Sequence, residues 1–244
     1  MIVYILLSFI AAFVFALGGV GAAIILIPVL VTLGIPITTA KPVGLFYNTV
    51  SLAGATVSNI KNKRLDFRLG IPIIIFSMLF AVAGAWLSKF IATKYILYLF
   101  IGFLIFSGSM FLFFKNKKKD DFRKDAPYLS LSIIGAVAGL LSGLLGVGGG
   151  GVISPLMLML GFNPKKIAAI TAFVVPFSSF TGFLTYWSMG SVDWNLLIWV
   201  SIAGIAGATL GTWFMHKKLN QKTVKKILAL ILLLMAVKML LKVF

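Results

Sequence analysis

Long apolar runs follow one another through the whole chain, separated by short stretches where charge, glycine and proline collect. That pattern predicts ten helices. In the first half they cover about 2–17, 22–33, 42–60, 68–88 and 94–114, and in the second 128–145, 152–161, 164–188, 195–215 and 222–243. A helix needs about 20 apolar residues to cross hydrocarbon, and most of these runs approach that length. The segments flanking two glycine clusters are shorter. Each such pair either dips into the bilayer and returns as a hairpin, or crosses where the bilayer is thinned.

The glycine clusters themselves are Leu17-Gly18-Gly19-Val20-Gly21, leading to Pro28, and Leu144-Leu145-Gly146-Val147-Gly148-Gly149-Gly150-Gly151, leading to Pro155. Glycine inside a helix costs about 1 kcal/mol relative to alanine, and lipid does not tolerate unbonded backbone. Such breaks therefore face protein or a water-filled space. In one register the halves also match Ala11 with Ala138, Leu17 with Leu144, Gly34 with Gly161, Asp66 with Asp193 and Trp86 with Trp213. Paired Pro, Asp and Trp are hard to ascribe to chance. The expected architecture is all-α and polytopic. A first membrane repeat spans 1–114, a basic linker 115–127 and a second repeat 128–244, each repeat a glycine-broken helical hairpin plus three transmembrane helices.

Composition narrows the class. The chain is 61% hydrophobic and 11% charged, far below the ~25% charge of a soluble domain, so no separate soluble domain fits. The first run, from Ile2, lacks a basic leader and a small-residue cleavage site and reads as a retained helix. The 22 Lys and Arg against five acids give a charge of +17. On a soluble protein this would suggest nucleic acid; here nearly all the cations lie in short loops, where they orient the chain and meet anionic head groups. Lys61, Lys63, Arg64 and Arg68 follow the third element of the first half, whereas its second-half counterpart around 190–195 carries only Asp193. Placing the loops 61–68, 115–125, 165–166 and 216–226 in the cytoplasm makes every assignment consistent. The repeats are then inverted with both termini outside, a common carrier architecture. Assembly as a homo-oligomer is left open.

The acids exclude further classes. There is no glutamate, and Asp66, Asp120, Asp121, Asp125 and Asp193 all fall in loops, so a relay of buried carboxylates has no residues to run on. His216 lies among lysines and cysteine is absent. No enzyme, metal or cofactor constellation is visible.

What remains is anion chemistry. Pro42 and Pro164 suit first helical turns, which would set Lys41 and Asn163 at helix starts, where free N–H groups attract anions. Lys41 is either an anion ligand or a head-group anchor. Asn48, Ser51, Thr171, Ser178 and Ser179 lie within apolar runs, where they either bond helix to helix or line a polar cavity between the repeats. Gly19, Gly21, Gly148, Gly149 and Gly150 either offer N–H groups to an oxyanion as a nest does or let helices pack closely. Asp66 and Asp193 read as N-caps of the helices that follow, and Trp86, Trp187, Trp194 and Trp213 as interfacial aromatics.

The chain resembles the sulfite exporter TauE/SafE family over essentially its whole length. The resemblance is carried by Gly148-Gly149-Gly150-Gly151 running to Pro155, Leu160-Gly161-Phe162-Asn163-Pro164-Lys165, Thr39-Ala40-Lys41, Arg64-Leu65-Asp66-Phe67-Arg68 and Gly190-Ser191-Val192-Asp193-Trp194. Ala40 stands where the family often has Asn, and the first glycine cluster is depleted. The resemblance implies a multi-pass cell-membrane carrier of small sulfur-containing anions such as sulfite or organosulfonates, with export the expected direction and Lys41 favoured as a site residue. A scaffold without transport, or a cation or metal carrier, are the rival readings.

Overall fold

The computed structural model describes residues 1–15, 21–113, 122–218 and 221–243, without the side chains of 212–225 and 242–243. Leu17, Gly18 and Gly19, the linker stretch 114–121, and the side chains of Trp213, His216 and the lysines that follow it up to position 225 therefore lie outside the described residues.

Among the described residues ten helices follow in order: α1 (Ile2–Phe15), α2 (Ala23–Thr32), α3 (Ile37–Lys61), α4 (Phe67–Leu87), α5 (Thr93–Phe113), α6 (Tyr128–Leu145), α7 (Gly150–Met159), α8 (Pro164–Ser188), α9 (Trp194–Lys218) and α10 (Gln221–Val243). The described residues contain no strand. Among the described residues five helices, α4, α5, α6, α8 and the Trp194–Gly211 part of α9, are long and apolar enough to cross a membrane.

Local chemistry explains most boundaries. Pro164 occupies the first turn of α8, and the Asn163 side chain caps it by accepting from the Lys165 N–H at 2.9 Å. Asp193 caps α9 by accepting from the Leu196 N–H at 3.0 Å. The short helices α2 and α7 close alike: Gly34 N–H bonds Val31 O and Ile35 N–H bonds Leu30 O, while Gly161 N–H bonds Leu158 O and Phe162 N–H bonds Met157 O.

Two boundaries differ from the expectation. Helix α3 begins at Ile37, with Pro36 before it in an extended conformation (ψ 141°), so Pro42 lies inside the helix and Lys41 past its first turn. The start falls on the earlier proline because Gly34 (φ +98°) has already ended α2, leaving room for another turn. Helix α7 takes in Gly150 and Gly151, so the second break is confined to 146–149. Asp66 does precede α4, but its side chain makes no cap bond. Its carboxylate binds the Lys166 ammonium at 2.8 Å instead.

Small residues set the helix spacing. Gly84, Gly139 and Gly143 each lie where an added Cβ would strike a backbone carbonyl of the facing helix, so α4 and α6 touch backbone to backbone. Gly207 and Gly211 do the same for α9 against α1, at Phe9 and Phe13. Helix α3 packs on α8, α5 on α10, α2 on α10 and α7 on α5. Exchanging each of the first five helices with its counterpart in the second five maps this set of contacts onto itself.

Prolines within helices leave carbonyls without their usual donor, and hydroxyls on neighbouring helices satisfy two of them. Pro176 frees the Ala172 carbonyl, which accepts from Thr56 Oγ1 at 2.7 Å. Pro155 frees the Gly151 carbonyl, which accepts from Ser107 Oγ at 3.0 Å. This is how broken backbone is accommodated where water is absent.

Candidate functional site

Helices α2 and α7 both begin at a glycine break, and both beginnings converge on one side chain from α3. Asn48 is fully buried. Its Oδ1 accepts from Ala23 N–H, the first residue of α2, at 3.0 Å, and its Nδ2 donates to the Val147 carbonyl in the second break at 2.8 Å. Gly21 (φ +90°) and Gly148 (φ +80°) flank this amide. A Cβ on Gly21 would lie 2.7 Å from Asn48 Oδ1, and one on Gly148 would strike Asn48 Nδ2 and come within 2.6 Å of Ser179 Oγ. Backbone direction and available space therefore both require glycine at these two positions.

Ser179 completes the junction from α8. It is buried, and its hydroxyl has no hydrogen-bond partner among the described residues. Gly149 accepts from the Val152 and Ile153 N–H groups, which leaves the N–H groups at the very start of α7 as the orphan donors of a first helical turn.

Lys41 lies on α3 about two turns before Asn48. Among the described residues it is the one charged residue that is buried, at 1% exposure. Its Cα would sit 2.7 Å from a Cβ on Gly146, so the second break also makes room for the lysine backbone. Its Nζ lies over the Tyr186 ring, 5.1 Å from the centroid. Tyr186 is itself held in place, its hydroxyl donating to the Gly143 carbonyl at 2.9 Å and meeting Ser88 Oγ at 2.8 Å. No carboxylate among the described residues pairs with Lys41. A desolvated cation–π contact contributes about 2 kcal/mol, whereas burying an ammonium costs several kcal/mol. The ammonium is left short of negative charge.

The other expected residues are placed as follows. Gly21, Asn48, Gly148 and Ser179 meet at the junction, and Lys41 adjoins the same break. Gly149 packs on the Ala138 carbonyl and Gly150 opens α7. Thr171 Oγ1 pairs with Ser154 Oγ at 3.2 Å, tying α8 to α7. Ser51 and Ser178 bond back to Tyr47 O and Val175 O on their own helices. Gly19 lies outside the described residues. Sequence reasoning missed Tyr186 and the Val147 carbonyl. A tyrosine inside an apolar run is a usable signal, because its hydroxyl needs a partner there. A backbone carbonyl leaves no signal in the sequence.

At one end of the bundle the turn at 61–66, the segment 122–125 and the turn at 161–166 come together. The Asp66–Lys166 ion pair joins the α3–α4 turn to the start of α8, and Arg123 N–H bonds the Gly161 carbonyl at 2.9 Å. Just inside, Phe67 meets Phe173 edge-on with centroids 5.6 Å apart. On the outer edge Arg123 and Asp125 form a two-pronged pair at 2.6 and 2.7 Å. The hydrogen bond from Arg123 holds the Asp125 carboxyl below its ordinary range.

The model of the family described as "Sulfite exporter TauE/SafE" matches residues 4–239. The chain belongs to that family. Among its relatives, the probable membrane transporter protein YunE of Bacillus subtilis is 29% identical over 259 aligned positions, covering 96% of this chain and 94% of that protein. A probable membrane transporter protein of Haemophilus influenzae is 25% identical and covers 97% of both chains. The sulfite exporter TauE/SafE family protein 1 of Arabidopsis thaliana is 37% identical over a shorter stretch, 41% of this chain and 20% of that protein. No solved structure matches. Family and apolar helices together make this TauE/SafE member a multi-pass membrane transporter, with the cell membrane the usual location.

Proposed function

We propose that this TauE/SafE member is a secondary transporter that exports a small sulfur-containing anion, sulfite or an organosulfonate, by alternating access. The anion binds beside Lys41, near the junction formed by Asn48, Ser179 and the glycine breaks. The observation that carries this reading is the buried Lys41 ammonium, which faces an aromatic ring and no carboxylate. The family description and the names of the plant relatives supply the sulfur chemistry.

The reading includes two inverted repeats, 1–114 and 128–244. It is supported by the direction of α3 against α8: Thr49 reaches the Pro176 carbonyl, Thr56 the Ala172 carbonyl and Asp66 the Lys166 ammonium, so contacts climb one helix while descending the other. The end where Asp66 meets Lys166, rich in cations, is the cytoplasmic end by the positive-inside rule and meets anionic head groups there.

Thermal unfolding of the purified protein with a panel of oxyanions and cations tests the reading. Sulfite or methanesulfonate should raise the unfolding temperature of the native protein and leave Lys41→Ala unmoved. A response to metal cations alone, or to no solute together with no flux in vesicles, contradicts it.

A further inference from the structure

We infer that the site takes anions of a single negative charge, an organosulfonate or hydrogensulfite rather than the sulfite dianion, so that the loaded carrier is electrically neutral and anion-for-anion exchange outpaces net flux. This rests on the proposed anion site at Lys41.

The inference follows from counting charge around one buried group. Lys41 is the only buried charged residue described. The chain has no glutamate, and each described aspartate is engaged elsewhere: Asp66 with Lys166, Asp125 with Arg123, and Asp193 with the Leu196 N–H. Asp120 and Asp121 belong to the polar linker stretch, outside the described residues. The other polar side chains at the junction, Asn48 and Ser179, are neutral, as is the Tyr186 hydroxyl.

One oxyanion charge cancels one ammonium. A dianion would leave a full negative charge enclosed among apolar helices, and the neutral N–H and hydroxyl dipoles stabilise such a charge only in part. The same count bears on the empty carrier. Returning without cargo, it would carry an unpaired cation through the protein interior or first give up a proton, and either adds a cost to that leg. Cargo of matching charge on both legs removes that cost, which favours exchange. A neutral loaded complex also does no work against the membrane potential.

The test uses the full chain in vesicles of phosphatidylcholine and phosphatidylglycerol. The probes come in charge-matched pairs, methanesulfonate against 1,2-ethanedisulfonate and acetate against malonate. The monoanion of a pair should exchange faster by about a hundredfold or more, at a rate unchanged by imposed voltage, and faster with anion on both sides than on one. Lys41→Gln should abolish that preference, while Lys41→Arg retains it. The charge series on the native protein decides the matter even if Lys41→Gln does not fold. Equal exchange of dianions, or exchange driven by voltage, overturns the charge rule and leaves the transport reading standing. Failure of every anion to exchange or to stabilise the protein overturns both.

Discussion

Asn48 Nδ2 donates to the Val147 carbonyl at 2.8 Å across 99 positions of chain, while Oδ1 of the same side chain holds the first N–H of α2. One amide thus fastens the two glycine breaks to each other and to α3. Replacing Asn48 with leucine strands a buried carbonyl and a buried N–H, each costing about 1–3 kcal/mol. The expected loss is about 2–6 kcal/mol, read as a large fall in unfolding temperature. If Asn48→Leu unfolds like the native protein, the amide does not join the breaks.

The glycines near this amide should differ in tolerance according to their surroundings. Gly148 and Gly190 both have positive φ, at +80° and +72°. An alanine at either incurs roughly 1–2 kcal/mol of backbone strain. At Gly190 nothing lies within 4 Å of the added methyl, whereas at Gly148 the methyl must displace Asn48 and Ser179. Gly190→Ala should therefore transport near the native rate after a modest loss of stability. Gly148→Ala should lose transport, and comparable flux from the two variants would remove the junction from the mechanism.

The absence of cysteine makes orientation directly measurable, since any introduced thiol is the sole target of an impermeant maleimide. Cysteines at Asn62 and Lys165 flank the Asp66–Lys166 pair and should be labelled from the same face. A cysteine at Ser191, beyond the far end of α8, should be labelled from the opposite face. Labelling of all three from one side contradicts the inverted arrangement.

The Asp66–Lys166 pair itself should contribute little to stability. Both side chains are partly open, at 29% and 37% exposure, and such pairs are worth about 0–1 kcal/mol. Asp66→Asn is expected to leave the unfolding temperature almost unchanged. A fall of several degrees would mean that the pair is shielded within the assembled protein.

The helices were legible in the sequence wherever the signal was local. Helices α6 and α8 run over the expected 128–145 and 164–188 because Pro127, the Asn163-Pro164 cap and Gly146 act on their own neighbours. Helix α3 was misplaced at its start because two prolines, Pro36 and Pro42, compete for its first turn, and only the preceding turn decides between them. Asn48 and Ser179 stood out as polar residues in apolar surroundings. That the amide clasps backbone from both breaks depends on which helix faces meet, and nothing in the spacing of one segment encodes that. Lys41 shows the same limit. Its charge was visible, but its burial against Tyr186 arises only when α3 and α8 cross.

Flux of sulfite or methanesulfonate in vesicles, native protein against Lys41→Gln, addresses the central claim most directly. Losing the buried partner of a bound charge costs about 3–5 kcal/mol, so uptake by the variant should fall by two orders of magnitude or more, with the variant still folded. Undiminished uptake by folded Lys41→Gln would show that the anion travels elsewhere.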